Sequence, residues 1–314
     1  MRVSILIPIY NVERFFARCI ESIFSQTYQD IEYVFVNDHT PDGSMSVLGR
    51  MCEKYPVRAN NVKIIENANN QGIAKVRNTL LENAGGDYVL FVDSDDWIEP
   101  DMVELMANEA MSRNADVVGC DYYEDYESRS VVVRQEYPSG HDEAMKAMTL
   151  LKIKGVLWKL LIRRDILMQN DLRFIPTIHF AEDYIFCCKL FYYSHVFASV
   201  NKPLYHYIQY NPNNYSSTDI DKRVESFARA IREVERFYRQ EGVYEKLEKE
   251  LTVRKFLIKS QYVLDNGHVN IRKWSRLFPE SNHVWREMGY SRGNRMRFFL
   301  ANCAANVLQL LNSN

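Results

Sequence analysis

The chain of 314 residues carries 39 basic and 41 acidic side chains, so its formal net charge is −2. Apolar residues make up 46% and charged residues 25%, a composition that is typical of globular proteins and excludes a disordered or fibrous chain. The near balance of charges argues against a nucleic-acid-binding protein, which needs a basic excess to neutralise phosphates. At about 150 residues per domain, the length predicts one large domain or a domain with an appendage.

The six cysteines show no spacing that is typical of a metal site or a redox pair. Most of them lie in apolar runs, where a thiol behaves as a small hydrophobic group, so we expect reduced core cysteines in a reducing compartment. Met1-Arg2 leads directly into an apolar strand pattern without the features of a signal peptide. No apolar run approaches the ~20 residues of a membrane span. These features predict a cytoplasmic protein.

The first third of the chain alternates between short apolar runs and segments of helical periodicity. Such alternation is typical of a parallel sheet that is covered by helices on both faces. Ligands of these sheets bind at the carboxyl ends of the strands, so we expect functional residues just after each strand. The predicted strands are 3–7, 31–36, 62–65 and 88–92, and the predicted helices are 15–24, 44–55, 73–84 and 100–113.

Beyond residue 115 the pattern becomes mixed, and an antiparallel edge is one interpretation of it. A polar stretch at 211–217 then interrupts the chain, and two long segments of helical periodicity follow. We therefore place a domain boundary near residue 212. The predicted strands of this part are 116–123, 130–136, 196–200 and 204–210, and the predicted helices are 142–152, 183–194, 223–241 and 244–266.

Acidic side chains collect where two of the predicted strands end. Asn37-Asp38 follows the second strand, and Asp93-Ser94-Asp95-Asp96 follows the fourth. Three carboxylates within four residues repel each other unless a cation or solvent screens them. Hard oxygen ligands suit Mg²⁺ or Mn²⁺, which use one or two carboxylates together with substrate phosphates. The cluster therefore predicts a metal-bridged diphosphate or, alternatively, a solvated acidic turn that caps the following helix.

The loop after the first strand, Pro8-Ile9-Tyr10-Asn11, contains no glycine cradle for phosphates. The chain has neither the G-x-G-x-x-G of a dinucleotide fold nor the motif of a P-loop. A sheet that binds a diphosphate without such a cradle needs another counter-charge, which a metal ion supplies. The same loop argues against a nucleotidyltransferase, in which we expect a glycine-rich and basic segment at this position.

The segments that carry a resemblance to a known family are 3–11, 22–28, 37–38, 70–78, 91–97, 158–160 and 181–183. In their order and separation these motifs resemble those of inverting family 2 glycosyltransferases of the type that builds bacterial polysaccharides. The resemblance implies an α/β fold of the GT-A type, a Rossmann-like mixed sheet flanked by helices, with a helical C-terminal extension. It implies a GT-A catalytic domain at 1–212, with a nucleotide-sugar half at about 1–113 and an acceptor half at about 114–212, before a helical region at 213–314.

The resemblance implies that five residues surround the nucleotide of a sugar-nucleotide donor. Pro8 and Tyr10 would line the base pocket, and Asp38 would accept a hydrogen bond from the uracil edge of a UDP-sugar. Gly72 and Arg77 would border the nucleotide. The forked donors of the arginine could reach either the nucleotide or an acid of the site.

The acidic cluster after the fourth strand would bind the rest of the donor. Asp93 would approach the ribose, and Ser94 beside it belongs to the same nucleotide-binding group. Asp95 would ligate a divalent cation, Mn²⁺ or Mg²⁺, which holds the diphosphate and stabilises it as it leaves. The cofactor that the resemblance implies is therefore a divalent cation.

The resemblance implies that Asp183 is the general base that takes the proton from the acceptor hydroxyl. Proton removal by a positioned carboxylate typically contributes ~10²–10⁴-fold to the rate. One base without an enzymic nucleophile predicts a single displacement with inversion at the anomeric carbon. Glu182 and Trp158 would shape the sugar and acceptor region.

The implied function is transfer of a sugar from a nucleotide-sugar donor, with UDP expected, to a hydroxyl of a glycan or lipid-linked acceptor. The product would be a surface polysaccharide or glycolipid, and no nucleic acid would take part. The alternative is a binding protein on the same fold that holds a nucleotide or glycan without turnover. Asp95 and Asp183 are both present, which disfavours that alternative.

Three features depart from or extend the family pattern. Most relatives have a small residue after the acidic pair, where this chain has His39, so this histidine either faces solvent or touches the nucleotide. His179 either assists the acceptor site or is an ordinary loop residue. A set of alternating aromatic residues is interpreted first as packing and second as a contact for acceptor sugar rings: Tyr205, His206, Tyr207 and Tyr210.

The C-terminal segment 285–314 is basic, with four arginines against one glutamate. From Phe298 onward its apolar residues recur at helical spacing, with asparagine and glutamine opposite. Such a helix either lies on an anionic membrane, which would suit a lipid-linked acceptor, or packs against the catalytic domain or a second subunit. We therefore expect a cytoplasmic protein that is at most peripheral on the inner face of the cytoplasmic membrane.

Overall fold

The computed structural model describes residues 1–178, 180–212, 219–264 and 269–312, with side chains as far as residue 305 in the last range. The chain divides into two compact units, Met1–Ser217 and Thr218–Asn314. Some sequence predictions lie outside the described residues: His179, the stretch 213–217, the last two residues of the helix predicted to end at 266, and the apolar side chains of Val307, Leu308 and Leu311.

The described residues of the first unit form a mixed sheet of nine strands. The strands are β1 (Val3–Ile9), β2 (Ile31–Asn37), β3 (Val62–Glu66), β4 (Tyr88–Phe91), β5 (Trp97–Ile98), β6 (Val117–Tyr126), β7 (Arg129–Val133), β8 (Leu160–Arg163) and β9 (Phe197–Ile208). They follow the order β3-β2-β1-β4-β8-β6-β9-β5, and β7 pairs with β6. The four strands β3, β2, β1 and β4 are parallel, whereas β8 is antiparallel to both of its neighbours.

Helices connect most of these strands and cover the sheet. In α1 the buried residues Phe16, Cys19, Ile20, Ile23 and Phe24 recur every three or four positions, so one face of the helix packs on the sheet. The helices of this unit are α1 (Glu13–Phe24), α2 (Ser44–Lys54), α3 (Pro56–Ala59), α4 (Ile73–Asn83), α5 (Met102–Arg113), α6 (His141–Thr149), α7 (Arg164–Gln169) and α8 (Glu182–Tyr193).

The parallel strands end at the same edge of the sheet. In the pairing register Ile9 lies opposite Asn37, and Asn37 lies opposite Glu66. All seven residues of β1 are buried, as expected for a central strand of a sheet that is covered on both faces. The loops after β1, β2, β3 and β4 therefore meet at one edge, which is the expected ligand-binding edge of such a sheet.

The strand and helix alternation of the first third is confirmed, but the centre of the sheet differs from the sequence prediction. Strand β8 is absent from the predicted elements, and it lies between β4 and β6 rather than at an edge. Three of its four residues are apolar, and so short a run has no distinguishing periodicity. The strands predicted at 196–200 and 204–210 form the single strand β9, because Pro203 lies at an irregularity in the pairing with β6 that tolerates its missing N–H.

The second unit is helical, as the sequence predicts. The helix predicted at 244–266 ends at Lys259 and is followed by a short separate helix. The rings of Phe256, Trp274 and Phe298 form its aromatic core, with centroids 5.1 to 5.7 Å apart. No described helix of either unit is both long and apolar enough to cross a membrane. The helices are α9 (Ile220–Gln240), α10 (Tyr244–Lys259), α11 (Gln261–Leu264), α12 (Ile271–Arg276) and α13 (Arg292–Asn312).

Candidate active site

The acidic loop after β4 is held in place by strand β9. The carboxylate of Asp96 accepts hydrogen bonds from the hydroxyl of Tyr205, at 2.7 Å, and from the backbone N–H of Ile208, at 2.8 Å. The same tyrosine oxygen accepts the backbone N–H of Asp93 at 3.1 Å. Burial raises the pKa of Asp96, and the charges of Asp95 and Asp93 raise it further. Asp96 is therefore an anchor of the loop, whereas Asp93 and Asp95 remain at its accessible side.

Asp95 is the residue that the sequence analysis predicts as the ligand of a divalent cation. Its carboxylate accepts a hydrogen bond from the side-chain amide of Asn211 at 2.8 Å. Burial raises the pKa of Asp95 to about 6, and the neighbouring charge of Asp93 contributes to the rise. Within the described ranges, no group of three or more histidine, cysteine or acidic side chains is arranged to hold a metal by itself. The donor set instead fits a cation that takes one or two carboxylates and completes its shell with substrate phosphates.

Arg77, which lies on α4, brings the two ends of the site together. Its side chain is 6% exposed, and its guanidinium contacts the carboxylates of Glu182, at 2.8 Å, Asp183, and Asp93, at 3.3 Å. Glu182 and Asp183 open helix α8, where negative side chains are favoured by the helix dipole. Asp183, which the sequence predicts as the base, and Asp93, which it predicts at the ribose, therefore both contact the guanidinium of Arg77.

Three carboxylates around one guanidinium leave a negative cluster in a buried setting. Burial raises the pKa of Asp183, whereas Arg77 lowers it and the charges of Glu182 and Asp93 raise it. Burial also raises the pKa of Glu182, against the opposing effect of Arg77. The arginine is thus the group that favours the ionised form of both acids.

Asp38 organises the loop that leads into α4. Its Oδ1 accepts hydrogen bonds from the side-chain amide of Asn67, at 2.9 Å, and the backbone N–H of Gln71, at 2.7 Å. Its Oδ2 accepts the backbone N–H of Gly72 at 2.9 Å, which leaves a lone pair on that oxygen for a ligand. Gly72 has φ of +81°, a conformation that favours glycine.

The remaining residues predicted at the nucleotide lie on the same edge. Pro8 is buried in β1, and Tyr10, two residues further on, is 48% exposed. Ser94 is buried within the acidic loop. An exposed aromatic ring therefore follows β1 at the same edge of the sheet at which Asp38 follows β2. The predicted contacts of these residues with a nucleotide stay predictions.

Trp158 is 3% exposed and belongs to an aromatic cluster. Its ring stacks on Tyr205 at 4.3 Å between centroids and meets the edge of Tyr122 at 4.9 Å. Lys154 places its ammonium 4.8 Å from the ring centre of Tyr122 and 4.5 Å from that of Tyr207. Burial lowers the pKa of this lysine. Trp158 therefore supports Tyr205, and a direct contact of Trp158 with a sugar stays a prediction.

His206 packs away from the acidic loop. Its ring stacks between Trp97, at 3.3 Å, and Tyr123, at 4.3 Å, and its two nitrogens lie 2.9 Å from carboxylate oxygens of Glu99 and Asp125. This arrangement agrees with the packing interpretation of the aromatic residues in β9.

His39 is exposed, and its φ of +59° lies in the left-handed region. Glycine, which has no Cβ, adopts that conformation more readily than histidine does.

Sequence reasoning misses three residues that the structure brings to the site. Asn211, which contacts Asp95, falls in a polar stretch that is predicted only as a linker. Lys154 lies outside all of the motifs that the sequence analysis identifies. Tyr205 is assigned to packing in the sequence analysis. The alternation of the strand could have placed its hydroxyl toward the acidic loop, but the spacing of these residues does not indicate that Asp96 is its partner.

The arrangement defines a class of protein: an α/β fold with a cluster of acidic side chains at the carboxyl ends of its parallel strands, the edge at which such sheets bind ligands. Within that class the chain belongs to glycosyl transferase family 2, whose model matches residues 4–170. The resemblance found in the sequence motifs is therefore confirmed at the level of the family.

The chain is similar to "Uncharacterized glycosyltransferase EpsJ" of Bacillus subtilis (strain 168). The two are 34% identical over 219 residues, which cover 68% of this chain and 62% of EpsJ. The chain thus spans less than two thirds of the length of this relative.

Two solved structures show the same fold. The structure of S. aureus TarS 1–349 in complex with UDP-GlcNAc matches with a TM-score of 0.70 and 20% identity, over 90% of this chain and 81% of that one. The mannosyltransferase PcManGT from Pyrobaculum calidifontis, in complex with GDP-Man and Mn²⁺, matches with a TM-score of 0.58 and 15% identity, over 100% and 88% of the two chains. The GT-A fold predicted from the sequence is confirmed.

Proposed function

We propose that the chain is an inverting glycosyltransferase that moves a sugar from a nucleotide-sugar donor, expected to be a UDP-sugar, to an acceptor hydroxyl. The observation that carries the proposal is the contact of Arg77 with both Asp93, assigned to the donor, and Asp183, assigned to the base. One side chain would then fix the distance between donor and base. TarS with UDP-GlcNAc and PcManGT with GDP-Man support a nucleotide-sugar donor.

A divalent cation, Mn²⁺ or Mg²⁺, would be held by Asp95 with Asp93 beside it. The fit rests on the donor set, because two neighbouring carboxylates repel one another and Asp95 is paired with an uncharged amide. When bound, the cation would neutralise the diphosphate leaving group. The Mn²⁺ of PcManGT supports this assignment.

Asp183 would take the proton of the acceptor hydroxyl as the hydroxyl oxygen bonds to the anomeric carbon and the bond to the diphosphate breaks. Attack on the face opposite the leaving group gives inversion. A base must be ionised to accept a proton, so Arg77 would counter the burial that raises the pKa of Asp183. Glu182 and Trp158 would shape the acceptor region.

The acceptor would be a glycan or a lipid-linked sugar of surface polysaccharide or glycolipid synthesis. Such acceptors carry free hydroxyls, and a lipid-linked one would bring the enzyme to the inner face of the cytoplasmic membrane. Contact with the membrane or with a second copy would involve the C-terminal helices.

The first test is calorimetric titration of a panel of sugar nucleotides in the presence of manganese and then of a chelator. We expect binding of UDP that depends on manganese, with one UDP-sugar preferred, because the cation links the diphosphate to Asp95. The Asp95→Ala variant should lower UDP affinity only when manganese is present. Absence of nucleotide binding under both conditions would refute the donor site and favour a glycan-binding protein.

The second test separates catalysis from binding. Asp183→Asn should lower turnover by ~10²-fold or more and leave UDP affinity within about twofold, because the amide cannot accept the proton. The matched control is Asp165→Asn, at an exposed position on α7, which should retain turnover. Wild-type turnover in Asp183→Asn would show that another group is the base.

A further inference from the structure

Helix α13 of the second unit has two apolar faces. On the inner face Phe298, Ala301 and Ala305 are buried, and the ring of Phe298 lies 5.1 Å from Phe256 and 5.6 Å from Trp274. One such face is what an amphipathic helix needs in order to pack on its own unit. Apolar side chains on the opposite face of α13 are therefore not needed for the packing of the second unit.

The outer face of α13, which we define as Met296, Phe299 and Leu300 with Arg292 and Arg295, is exposed. Its three apolar side chains are 57%, 50% and 58% exposed, in that order. At 100° per residue they lie opposite the buried face. Arg292 lies among them, and Arg295 lies at their edge, where its Nη2 donates to the backbone carbonyl of Arg286 at 3.0 Å. Three large exposed apolar side chains within five residues form a patch rather than the scattered exposure of ordinary surfaces.

The charges of helix α13 have one sign. Between Arg292 and Asn312 the helix contains three arginines and neither aspartate nor glutamate, although the whole chain has a net charge of −2. Arginine side chains can lay their apolar stems on a hydrophobic surface while the guanidinium reaches an anionic group. A partner with an apolar interior beneath an anionic surface would accommodate both the apolar side chains and the arginines.

We propose that the outer face of α13 docks on an anionic lipid surface, with Met296, Phe299 and Leu300 entering the interface and Arg292 and Arg295 meeting lipid phosphates. A helix with an apolar face flanked by arginines lies in the plane of such an interface. This lipid contact of the outer face does not depend on which acceptor binds in the active site.

A second copy of the chain fits the outer face less well. In a two-fold symmetric contact the same patch meets itself, so Arg292 and Arg295 would approach their own copies with no acidic residue of this segment to pair them. Like charges across an interface are strongly unfavourable. A lipid surface supplies the opposite charge.

The test uses the full chain in sedimentation with large vesicles of equal parts phosphatidylglycerol and phosphatidylcholine, and with vesicles of phosphatidylcholine alone. Binding is expected to the anionic vesicles and to weaken as salt is raised, because exposed charges are screened. The triple variant Met296→Gln/Phe299→Gln/Leu300→Gln should lower the partition coefficient roughly tenfold or more. Each of Arg292→Gln and Arg295→Gln should lower it about fivefold.

Matched controls are Val269→Gln, 62% exposed in the same unit, and Arg113→Gln, whose side chain is 65% exposed in the first unit. Both controls should bind vesicles as the wild type does. The triple variant should keep the wild-type circular dichroism spectrum and UDP affinity, so a loss of vesicle binding is separable from misfolding and from failure of the donor site.

Three results would overturn the proposal: no sedimentation of the wild type with anionic vesicles, equal binding to phosphatidylcholine alone, or unchanged binding of the triple variant. A dimer in sedimentation equilibrium that the triple variant abolishes, without vesicle binding, would assign the outer face to a second copy instead.

Discussion

Arg77 is the residue on which the candidate site depends most. It is buried, and three carboxylates of Asp93, Glu182 and Asp183 surround its guanidinium. Without it, three acids would face one another in a setting where burial already favours their neutral forms. The same side chain therefore holds the three acids together and favours the ionised form of the predicted base, against the burial that raises its pKa.

The first prediction concerns the loss of the positive charge of Arg77. Arg77→Met should lower the free energy of unfolding by about 3–5 kcal/mol, because breaking a buried ion pair leaves its partners uncompensated. Arg77→Lys should lose less stability but still lose turnover, since an ammonium cannot reproduce the fork that reaches acids on two segments. Urea unfolding and turnover at pH 7 measure the two effects. Wild-type stability in Arg77→Met would mean that the three acids are neutral or solvated.

The second prediction concerns His39, whose left-handed backbone conformation disfavours any residue with a Cβ. His39→Gly should raise the free energy of unfolding by about 1 kcal/mol, because glycine adopts a positive φ without strain. His39→Ala is the control: it removes the imidazole but keeps the Cβ, so it should gain little. Equal gains in thermal or urea unfolding for both variants would assign the effect to the side chain. UDP affinity of the two variants tests the nucleotide contact separately.

At this scale, the sequence motifs assign roles to acidic residues and miss residues that only the fold brings near them. Asp95 and Asp183 are assigned by the resemblance of their motifs to the family, and their roles stay predictions. Asn211 and Lys154 come from distant segments without any pattern, and folding alone places one beside Asp95 and the other over the ring of Tyr122.

Strand β9 links the acidic loop to the second half of the sheet. The hydroxyl of Tyr205 donates to Asp96 and accepts from the backbone of Asp93, so one atom spans both ends of the loop. The ring below it rests on Trp158, which is itself buried. The position of the loop is therefore set by an element more than a hundred residues away in sequence.

The third prediction follows from this link. Tyr205→Phe should lower the free energy of unfolding by about 1–3 kcal/mol, because the buried carboxylate of Asp96 loses a donor. It should also weaken manganese-dependent UDP binding, since Asp93 and Asp95 lose their support. Tyr33→Phe is the matched control: its hydroxyl donates to the buried carbonyl of Ile23 at 3.2 Å, so it should lose stability without weakening UDP binding. Unchanged UDP affinity in Tyr205→Phe would show that the loop is fixed by other contacts.

The elements that the sequence predicts well are those whose periodicity is long or repeated. Helix α1 repeats its buried positions along a helix of twelve residues, and strand β4 is a continuous apolar run. Strand β8 has only four residues, and β9 contains a proline that normally ends a strand. Both are fixed by pairing with β6, which a single segment of sequence does not encode.

At the scale of the whole molecule, charge patterning predicts more than hydropathy does about the second unit. The arginines of 285–314 mark its basic end from the sequence alone. Its two buried lysines, Lys255 and Lys259, are not predictable, because lysines spaced along an amphipathic helix are normally assigned to the solvated face.

Lys259 is fully buried in the second unit. Its ammonium donates to the backbone carbonyl of Phe278, at 3.2 Å, and to the side chain of Asn282, at 2.6 Å, and it lies 4.2 Å from the ring centre of Trp274. Burial nevertheless lowers the pKa of Lys259 to about 7, although Glu280 opposes the shift. The folded protein therefore binds fewer protons at this group than the unfolded chain does, from about pH 7 up to the ordinary lysine pKa of ~10.4.

The fourth prediction is that this lysine makes stability rise with pH. Wherever the unfolded state binds more protons, the free energy of unfolding increases with pH, by at most about 1.4 kcal/mol per pH unit for one group. Lys259→Met removes that contribution, so the wild type should gain stability relative to the variant between pH 7 and about pH 9.5. Urea unfolding followed by circular dichroism at several pH values in that window measures the difference.

Lys255 is the control for this prediction, because it is buried in the same unit with the opposite shift. Burial lowers its pKa, but hydrogen bonds to Glu235, at 2.7 Å, and Glu280, at 2.9 Å, outweigh burial and raise it. Lys255 is then protonated in both states throughout the window, so Lys255→Met should lose stability by an amount that does not change with pH there. A constant difference for Lys259→Met as well would mean that its hydrogen bonds and the ring of Trp274 keep the ammonium charged in the folded protein.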